Sequence, residues 1–423
     1  MTDPRDVLTG SPYRGYVYAY PHKTAYRRLP EPRPLRDLWK DEDRRALFLY
    51  VHVPFCTMRC GFCNLFTQPQ PTDGIAKLYL DALAVEAGRV REALPDATFA
   101  RFAIGGGTPT FLSESELATV FDLAERVMGA DPTAIPVGVE TSPDTISPGK
   151  VAVLKARGVD RVSIGVQSFV ESETAASGRP QKTADVLAAL DRLKSAGFGT
   201  LNIDLIYGLP GQTLDTWRTS LRAALGFRPE ELYLYPLYVR PLTGLGKSRK
   251  SWDDVRLACY REARDTLLAE GYSQVSMRMF RRTDAPDSGG PAYCCQTDGM
   301  VGLGVGARSY TRNLHYSSDY AVGAKGVKAI VANYLAREES DFDAVAHGFA
   351  LDGSEQKRRF VLQSLLNCEG LDGSAYFARF GTKADADFPE LRAFVEMGLL
   401  VCNPSPDPSG PLPPWGGGLG WGV

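Results

Sequence analysis

A regular alternation of apolar and amphipathic segments places the strongest constraint on how this chain folds. Six segments rich in Val, Ile and Leu have the length of buried strands, at 46–53, 99–106, 135–141, 161–167, 200–208 and 231–238. Segments with helical periodicity lie between them, at 75–94, 113–129, 183–197 and 214–227. Apolar strands that alternate with such helices are typical of parallel βαβ units. The pattern therefore predicts an α/β fold, and six units favour a partial or complete barrel over an open sheet.

The composition is that of an ordinary globular chain. Of its 423 residues, 44% are hydrophobic and 23% are charged, and the formal net charge is -2. This balance, with only short basic runs, gives no indication of a nucleic-acid partner. The N-terminus lacks a cationic and apolar leader, and no apolar run approaches the roughly 18 residues of a membrane span. We therefore expect a cytoplasmic protein without a membrane span, whose eight cysteines are reduced.

Shifts in composition divide the chain into five segments. Residues 1–45 are irregular and Tyr-rich, whereas 46–290 carry the strand and helix alternation of the barrel. Residues 291–350 form a Gly-rich connecting region, and 351–402 are predicted to be a small helical or winged-helix unit. The tail at 403–423 is rich in Pro and Gly, so we expect it to be disordered.

Three cysteines follow the first predicted strand within eight positions. Cys56, Cys60 and Cys63 have the spacing Cys-x3-Cys-x2-Cys, which favours a metal site or catalysis over disulfides in a reduced protein. A zinc site requires a fourth ligand, and strand alternation gives no reason for His52 to point into the cysteine loop. Three purely structural thiols in one short loop would be a coincidence. An iron-sulfur cube held by three thiolates leaves one iron that can hold an exchangeable small molecule.

The cysteine spacing resembles that of the radical S-adenosylmethionine (SAM) enzymes. In that family the open iron is chelated by the amino and carboxylate groups of the methionine part of SAM. One electron from the reduced cluster then cleaves the sulfonium, which gives methionine and a 5'-deoxyadenosyl radical. The resemblance thus implies a 4Fe-4S cluster and SAM as cofactors, and SAM as the missing fourth ligand.

Polar or glycine residues also stand at the ends of the later predicted strands, where a barrel places its chemistry. The glycines of 105–110 allow close backbone approach to the methionine ammonium, although the same run also suits a tight turn. Glu140, Gln167 and Asp204 match the rest of SAM, and Arg179 is suited to a bidentate pair with its carboxylate. Each of these residues could also have a purely structural role, as a buried hydrogen-bonding group or a surface cation. Their joint placement at successive strand ends favours a shared ligand.

Five motifs carry a closer resemblance, namely YVHVPFCTMRCGFC, GGGTPT, VSIGVQSF, GRPQ and NIDLIYGLPGQT. In this order they resemble the oxygen-independent coproporphyrinogen III oxidase-like group of radical SAM proteins, and imply its partial or complete radical SAM barrel. That group includes oxidative decarboxylases, heme chaperones, class C methyltransferases and cyclopropane-forming enzymes. The resemblance implies a cluster on Cys56, Cys60 and Cys63. It also implies SAM contacts by Tyr50, Gly106, Gly107, Thr108, Glu140, Gln167, Arg179 and Asp204, with Tyr235 and Tyr238 near the adenine.

Two departures from the group limit the prediction of function. The oxidases carry an additional cysteine just after the third ligand, where this chain has Asn64 and Leu65. The heme chaperones carry a His-Asn and Tyr-Trp signature before the Gly-rich strand, where this chain has PAYCCQTDG. A thiolate of Cys294 or Cys295 can still ligate heme iron, so heme remains a less favoured cofactor. The alternative is that both are small buried residues.

Two hypotheses of different classes follow. The first is a radical SAM enzyme that acts on an aromatic or tetrapyrrole-like small molecule, as a class C type methyltransferase with one or two SAM molecules. In this scheme the Tyr-rich N-terminal segment lines the pocket, with Tyr20 and His22 as candidate catalytic residues. The second is a heme chaperone-like binding protein, and a coproporphyrinogen-type oxidative decarboxylase is a further alternative. The radical chemistry also requires a reducing electron donor such as flavodoxin or ferredoxin.

Overall fold

The strands join into one large mixed sheet and a small two-stranded sheet. The computed structural model describes residues 12–13, 19–240, 243–248, 254–286, 299–321 and 323–401. In chain order the strands are β1 (Arg27–Pro34), β2 (Leu47–Val53), β3 (Phe55–Cys56), β4 (Gln68–Pro69), β5 (Phe99–Gly106), β6 (Val137–Thr141), β7 (Arg161–Gln167), β8 (Thr200–Tyr207), β9 (Glu231–Pro236), β10 (Tyr272–Gln274), β11 (Met279–Arg282), β12 (Met300–Leu303), β13 (Arg308–Tyr310), β14 (Leu314–Ser317) and β15 (Ala344–Ala350). The large sheet runs in the order β1-β15-β14-β13-β12-β2-β5-β6-β7-β8-β9-β11-β10, and β3 pairs with β4.

Helices connect the strands and form the C-terminal part of the described chain. In chain order they are α1 (Leu35–Trp39), α2 (Ile75–Ala93), α3 (Glu114–Asp122), α4 (Pro148–Ala156), α5 (Glu171–Ala176), α6 (Thr183–Ala196), α7 (Leu214–Gly226), α8 (Gly244–Lys247), α9 (Arg256–Ala269), α10 (Ala324–Leu335), α11 (Gly353–Leu365), α12 (Gly373–Phe380), α13 (Ala384–Asp387) and α14 (Glu390–Glu396). None of the helices in the described ranges has both the length and the apolar character to cross a membrane.

The centre of the large sheet is parallel, which confirms the predicted α/β fold. Strands β2, β5, β6, β7, β8 and β9 pair in parallel, and β12 adds to β2 in the same direction. Every residue of β2 and β5 is buried, as expected for a parallel sheet covered on both faces. The edge strands β1 and β10 do not pair with each other among the described residues, so the sheet is a partial barrel.

Two segments differ from the sequence prediction. The Tyr-rich segment that was expected to be irregular contains α1 and β1, which pairs antiparallel with β15 at the sheet edge. The described part of the predicted Gly-rich connection supplies β12 to β15 of the same sheet. The three prolines of β1 conceal its strand pattern, and proline is tolerated there because an edge strand leaves ladder donors unused. The division into five segments stays a prediction.

The hydrophobic core follows the parallel strands and their helices. Trp39 of α1 and Trp217 of α7 are completely buried at distant points of one continuous cluster. The helices α11 to α14 pack around Tyr376 in a smaller separate cluster. The long cluster holds the strands rigidly, so the residues at their carboxyl ends have fixed positions relative to one another.

Candidate functional site

The cysteine loop begins at Cys56, the last residue of β3. Pairing of β3 with β4 closes the loop, which carries Cys60 and Cys63 between the two strands. The three thiols are free and half-buried. Gly61 fixes the middle of the loop, because its N–H donates to the Ser177 carbonyl at 2.9 Å and its own carbonyl accepts from Leu245 at 2.8 Å. A Cβ at Gly61 would lie 2.7 Å from the Ser177 oxygen, so glycine is required there.

The glycine run after β5 approaches the cysteine loop closely. The N–H of Gly107 donates to the Val53 carbonyl at 2.7 Å, and that of Thr108 donates to the Phe55 carbonyl at 2.9 Å. The Thr108 hydroxyl lies 3.6 Å from the Cys56 sulfur. A Cβ at Gly107 would lie 2.9 Å from that sulfur, so only glycine lets the two segments meet at this distance. The glycine run after β5 therefore packs directly against the Cys56 thiol.

One cavity of about 710 Å³ collects the cysteine loop and the strand ends. Its lining includes all three loop cysteines, and it includes every predicted SAM contact except Tyr50. The predicted residues that share the cavity are Cys56, Cys60, Cys63, Gly106, Gly107, Thr108, Glu140, Gln167, Arg179, Asp204, Tyr235 and Tyr238. Residues that are far apart in sequence thus surround one space large enough for a nucleotide-sized ligand.

Arg179 is held against the cysteine loop by hydrogen bonds in several directions. Its guanidinium donates to the Cys60 sulfur at 3.3 Å, to the Gly165 carbonyl at 2.8 Å and to the Ser142 hydroxyl at 2.9 Å. Burial raises the pKa of the Cys60 thiol, and the positive charge of Arg179 opposes that rise. The structure therefore places a fixed cation beside the second cysteine, where it favours the thiolate.

Two partly buried carboxyl groups, Glu140 and Asp204, face the cavity from neighbouring parts of the sheet. Burial raises the pKa of Glu140 to about 7, although its side chain accepts a 3.0 Å hydrogen bond from the N–H of Gly106. Burial likewise raises the pKa of Asp204 to about 6, and a 2.7 Å hydrogen bond from Asn202 opposes the rise. Both groups can therefore hold or release a proton near neutral pH, or bind hydroxyl and ammonium donors of a ligand.

Aromatic and amide side chains complete the cavity wall. Tyr235 stacks on Tyr233 with ring centroids 5.9 Å apart, and the Arg278 guanidinium lies 5.4 Å from the Tyr235 ring. Gln167 has a positive φ of 70° at a bulge of β7, which is uncommon for a residue other than glycine. The strained backbone at Gln167 marks a residue that its surroundings hold in place.

Three predicted site residues lie outside the cavity lining. Tyr50 is 5% exposed and its hydroxyl lies 3.3 Å from Nδ1 of His52, so it is a buried neighbour of the site. The Tyr20 hydroxyl donates to Glu355 of α11, and neither Tyr20 nor His22 lines the cavity. Nε2 of His22 lies 3.2 Å from the Arg240 guanidinium. The predicted catalytic role of both residues is therefore at odds with their placement.

Burial and the charge of Arg240 lower the pKa of His22 to about 4. Its imidazole is therefore neutral near neutral pH and is a poor proton donor there. Cys294 and Cys295, the predicted candidates for heme ligation, lie outside the described residues.

The structure adds cavity residues that sequence reasoning missed. Ser142 and Asp144 directly follow β6, where the rule of strand ends would have indicated them. Gln181 lies two residues after Arg179 and accepts a hydrogen bond from it at 3.2 Å. Arg278 precedes the antiparallel strand β11, for which that rule gives no signal.

The donor set suits an iron-sulfur cluster better than a single ion. Within the described ranges, no three His, Cys, Asp or Glu side chains converge closely enough to hold one metal ion. Thiolates that bind separate irons of a cube do not need such convergence. Burial raises the pKa of the Cys56 thiol to about 12, so iron would be needed to favour its thiolate. The three free thiols on one loop, which line one cavity, fit this group.

Comparison with known proteins identifies relatives that share most of the chain. A family model described as the radical SAM superfamily matches residues 50–224. The heme chaperone HemW of Bacillus subtilis is 28% identical over 83% of this chain and 92% of its own length. An oxygen-independent coproporphyrinogen III oxidase of Paracoccus denitrificans is 28% identical over 82% of each chain. The structure of coproporphyrinogen III oxidase (HemN) from Escherichia coli matches with a TM-score of 0.76 and 23% identity, over 90% of each chain.

Proposed function

We propose that this chain, which belongs to the radical SAM superfamily and to its coproporphyrinogen III oxidase-like group, is a radical SAM oxidoreductase for a small tetrapyrrole-like or aromatic substrate. The observation that carries the proposal is the shared cavity of the three loop cysteines and the residues at the strand ends. When bound, a 4Fe-4S cluster supplies the electron that cleaves the sulfonium of SAM.

The residues of the chain have separate roles in this scheme. Cys56, Cys60 and Cys63 bind three irons, and the glycine run next to Cys56 lets a ligand approach the backbone. Glu140 and Asp204 bind polar hydrogens of SAM, since they are the partly buried carboxyl groups of the cavity. A flat ligand packs on the Tyr235 ring, which its stacking on Tyr233 holds in place.

Arg179 acts differently from the prediction of a free bidentate partner. Its donors already engage Cys60, Ser142 and Gly165, so its first role is to hold the cysteine loop on β7. The same guanidinium still gives the cavity a positive charge on the side of the cysteines. This charge favours an anionic group of a ligand, such as the methionine carboxylate.

We favour oxidation over methyl transfer as the reaction because of the names of the relatives. Those with similarity over most of the chain carry the names of coproporphyrinogen III oxidases and heme chaperones. Class C methyl transfer, which the sequence analysis favoured, gains no support from these relatives. A tetrapyrrole-like substrate is consistent with a cavity of about 710 Å³ with aromatic side chains in its wall. The reductant would be a low-potential protein such as flavodoxin or ferredoxin.

A heme chaperone is the second candidate. The observation that favours it is the similarity to a named heme chaperone over 92% of that protein. In this scheme the cluster and SAM gate the transfer of heme, and little SAM is consumed. The two candidates differ in whether a substrate is converted.

The test is anaerobic. The protein is reconstituted with iron and sulfide and reduced with dithionite, and SAM is added with or without coproporphyrinogen III. Mass spectrometry quantifies 5'-deoxyadenosine, S-adenosylhomocysteine and any decarboxylated porphyrinogen. Deoxyadenosine formation that rises with a converted substrate supports the oxidoreductase. Stable heme binding with little turnover of SAM favours the chaperone. Formation of S-adenosylhomocysteine would instead support the methyltransferase hypothesis.

Replacement of one cluster ligand tests the cluster assignment directly. Cys56→Ala should reduce deoxyadenosine formation to background, because the cube loses a protein ligand. The matched control is Cys368→Ala, which removes an exposed free thiol outside the cavity and should change little. Wild-type SAM cleavage by the Cys56→Ala variant would refute the cluster assignment.

A further inference from the structure

Lys23 is a buried lysine that contacts the cysteine loop from the N-terminal segment. It is 8% exposed and begins the short helical turn at 23–25. Its Nζ donates a 2.7 Å hydrogen bond to the carbonyl of Asn64, the residue that follows Cys63. The Tyr320 hydroxyl donates to the same carbonyl, and Nζ lies 4.8 Å from the centroid of the Tyr320 ring. Two distant segments thus hold one backbone oxygen of the loop.

The ammonium of Lys23 lacks the partner that a buried cation normally has. In the part of the chain that the structure describes, no carboxylate forms an ion pair with it. Burying an ammonium without a counter-charge is costly. The nearby thiolates of a loaded cysteine loop would supply that negative charge.

We propose that Lys23 is a positioning residue that holds the Cys63 side of the loop and supplies a fixed positive charge that eases reduction of the bound cluster. This inference rests on the proposed function, because it requires a 4Fe-4S cluster on the loop. Reduction adds one electron from an external reductant, dithionite in the test below, and forms or breaks no bond at Lys23. A nearby cation stabilises the more negative reduced state more strongly than the oxidised state.

The contacts of the N-terminal segment give this role a structural basis. The Arg359 guanidinium of α11 donates to the Tyr20 carbonyl at 3.2 Å, and His22 faces Arg240 just after β9. Lys23 then follows at the cysteine loop. The segment therefore runs from α11 to the cysteine loop, and Lys23 reaches the loop because Tyr20 and His22, which precede it, are held in place. Its function is to support the site from outside the cavity.

The experiment compares reduction potentials of the reconstituted full-length protein and its variants. The cluster is titrated anaerobically with dithionite, and the reduced form is followed by electron paramagnetic resonance. In Lys23→Met the equilibrium constant for reduction should fall about tenfold, a shift of about 59 mV to more negative potential for a one-electron couple. Tyr320→Phe removes the other hydrogen bond to Asn64 without a change of charge, so its potential should stay close to that of the wild type.

Lys155→Met is the matched control for the loss of a positive charge. Lys155 also donates to a backbone carbonyl, that of Gly197, and lies 5.1 Å from the Phe198 ring, but it is exposed. It should leave the potential unchanged. An unchanged potential in Lys23→Met with an intact cluster, or an equal shift in the control, would overturn the inference.

Two further variants cover the case in which Lys23→Met does not retain iron. Lys23→Arg keeps the charge and should keep the potential, whereas Lys23→Gln keeps a donor and should show the negative shift. If both have the wild-type potential, the charge has no role and the inference fails. Failure of the cluster assignment, on which the proposed function depends, gives a different result, because the wild-type protein itself would then bind no cluster.

Discussion

The two ends of the parallel strands treat buried charge in opposite ways. At the amino ends, Arg161 of β7 donates to Glu231 of β9 at 2.8 Å, and Arg281 of β11 donates to the other carboxylate oxygen at 2.7 Å. Nearly all of the Arg161 and Glu231 side chains is buried. Towards the carboxyl ends, Glu140 and Asp204 are partly buried and form no ion pair with another described residue, and their pKa values rise to about 7 and about 6. We call the amino ends, where Glu231 is paired with arginines, the compensated end, and the carboxyl ends, where Glu140 and Asp204 lie, the uncompensated end.

This difference separates residues that hold the fold from residues that are available for chemistry. The carboxylate of Glu231 accepts hydrogen bonds from both guanidinium groups. These residues therefore fix the positions of the strands at their amino ends and are not available for a reaction. A carboxyl group whose pKa lies near 7 is costly to ionise, and such cost is tolerated where a ligand later provides a partner. The comparison therefore predicts that variants at the amino ends change stability and variants at the carboxyl ends change the reaction with SAM.

The largest effect is expected from a substitution that removes the shared carboxylate at the compensated end. Glu231→Ala leaves Arg161 and Arg281 buried without their carboxylate, and it should lower the free energy of unfolding by about 3–5 kcal/mol. The matched control is Glu262→Ala, because Arg218 donates to both oxygens of Glu262 at 2.7 and 3.0 Å on the partly exposed surface. That loss should be about 1 kcal/mol or less. Equal losses in chemical denaturation would remove the distinction between buried and exposed pairs.

A smaller effect is expected from Glu140→Gln at the uncompensated end. Because the folded state raises the pKa of Glu140 to about 7, its stabilising contribution is complete at low pH and is lost as the pH rises through 7. The apo variant should therefore be more stable than the wild type at pH 8 by about 2 kcal/mol, and nearly equal at pH 4. Chemical denaturation at the two pH values measures this. The same variant should form deoxyadenosine at least about tenfold more slowly, since SAM loses a charged acceptor.

If the free energy of unfolding of Glu140→Gln changed with pH in the same way as that of the wild type, the pKa of Glu140 would not be raised in the apo protein. A normal rate of SAM cleavage, in turn, would show that the group does not contact SAM. Either result would weaken the contrast between the two ends of the strands, and the pair of measurements distinguishes them.

The sequence predicted the parallel part of the fold because its signals are local. Each predicted strand carries its own apolar run, and the predicted start of β7 agrees with the structure at residue 161. Parallel strands bring their carboxyl ends to one edge, so the strand pattern alone was enough to place Glu140, Gln167 and Asp204 together. The spacing of the three cysteines is local in the same way.

The remaining parts depend on long-range pairing, which a local pattern does not encode. Strand β1 pairs with β15, more than three hundred residues later, and its prolines hide it. Arg278 enters the cavity from the antiparallel side, where strand ends point the other way. Lys23 reaches the cysteine loop only because the chain folds back from the sheet edge. Tyr50 lies on the same face of β2 as His52, but it is buried outside the cavity lining, a depth that strand alternation does not predict.

The smallest expected effect comes from a residue outside both ends of the strands. Tyr20→Phe removes a hydroxyl that donates to Glu355 and accepts from Arg358 at 3.3 Å. Because these contacts are half-exposed and lie on α11, the free energy of unfolding should fall by about 1 kcal/mol or less. Deoxyadenosine formation should stay within about twofold of the wild type, because a hydroxyl lost outside the cavity changes the activation free energy little.

The matched comparison is Tyr235→Phe, which removes a hydroxyl from a ring of the same type inside the cavity. Burial raises the pKa of Tyr235 well above its usual value, so its hydroxyl stays protonated and can donate to a ligand. Loss of that donor should slow deoxyadenosine formation more than the Tyr20 variant does. If Tyr20→Phe were instead the slower enzyme, the N-terminal segment would take part in the reaction, and chemistry would not be confined to the uncompensated ends of the strands.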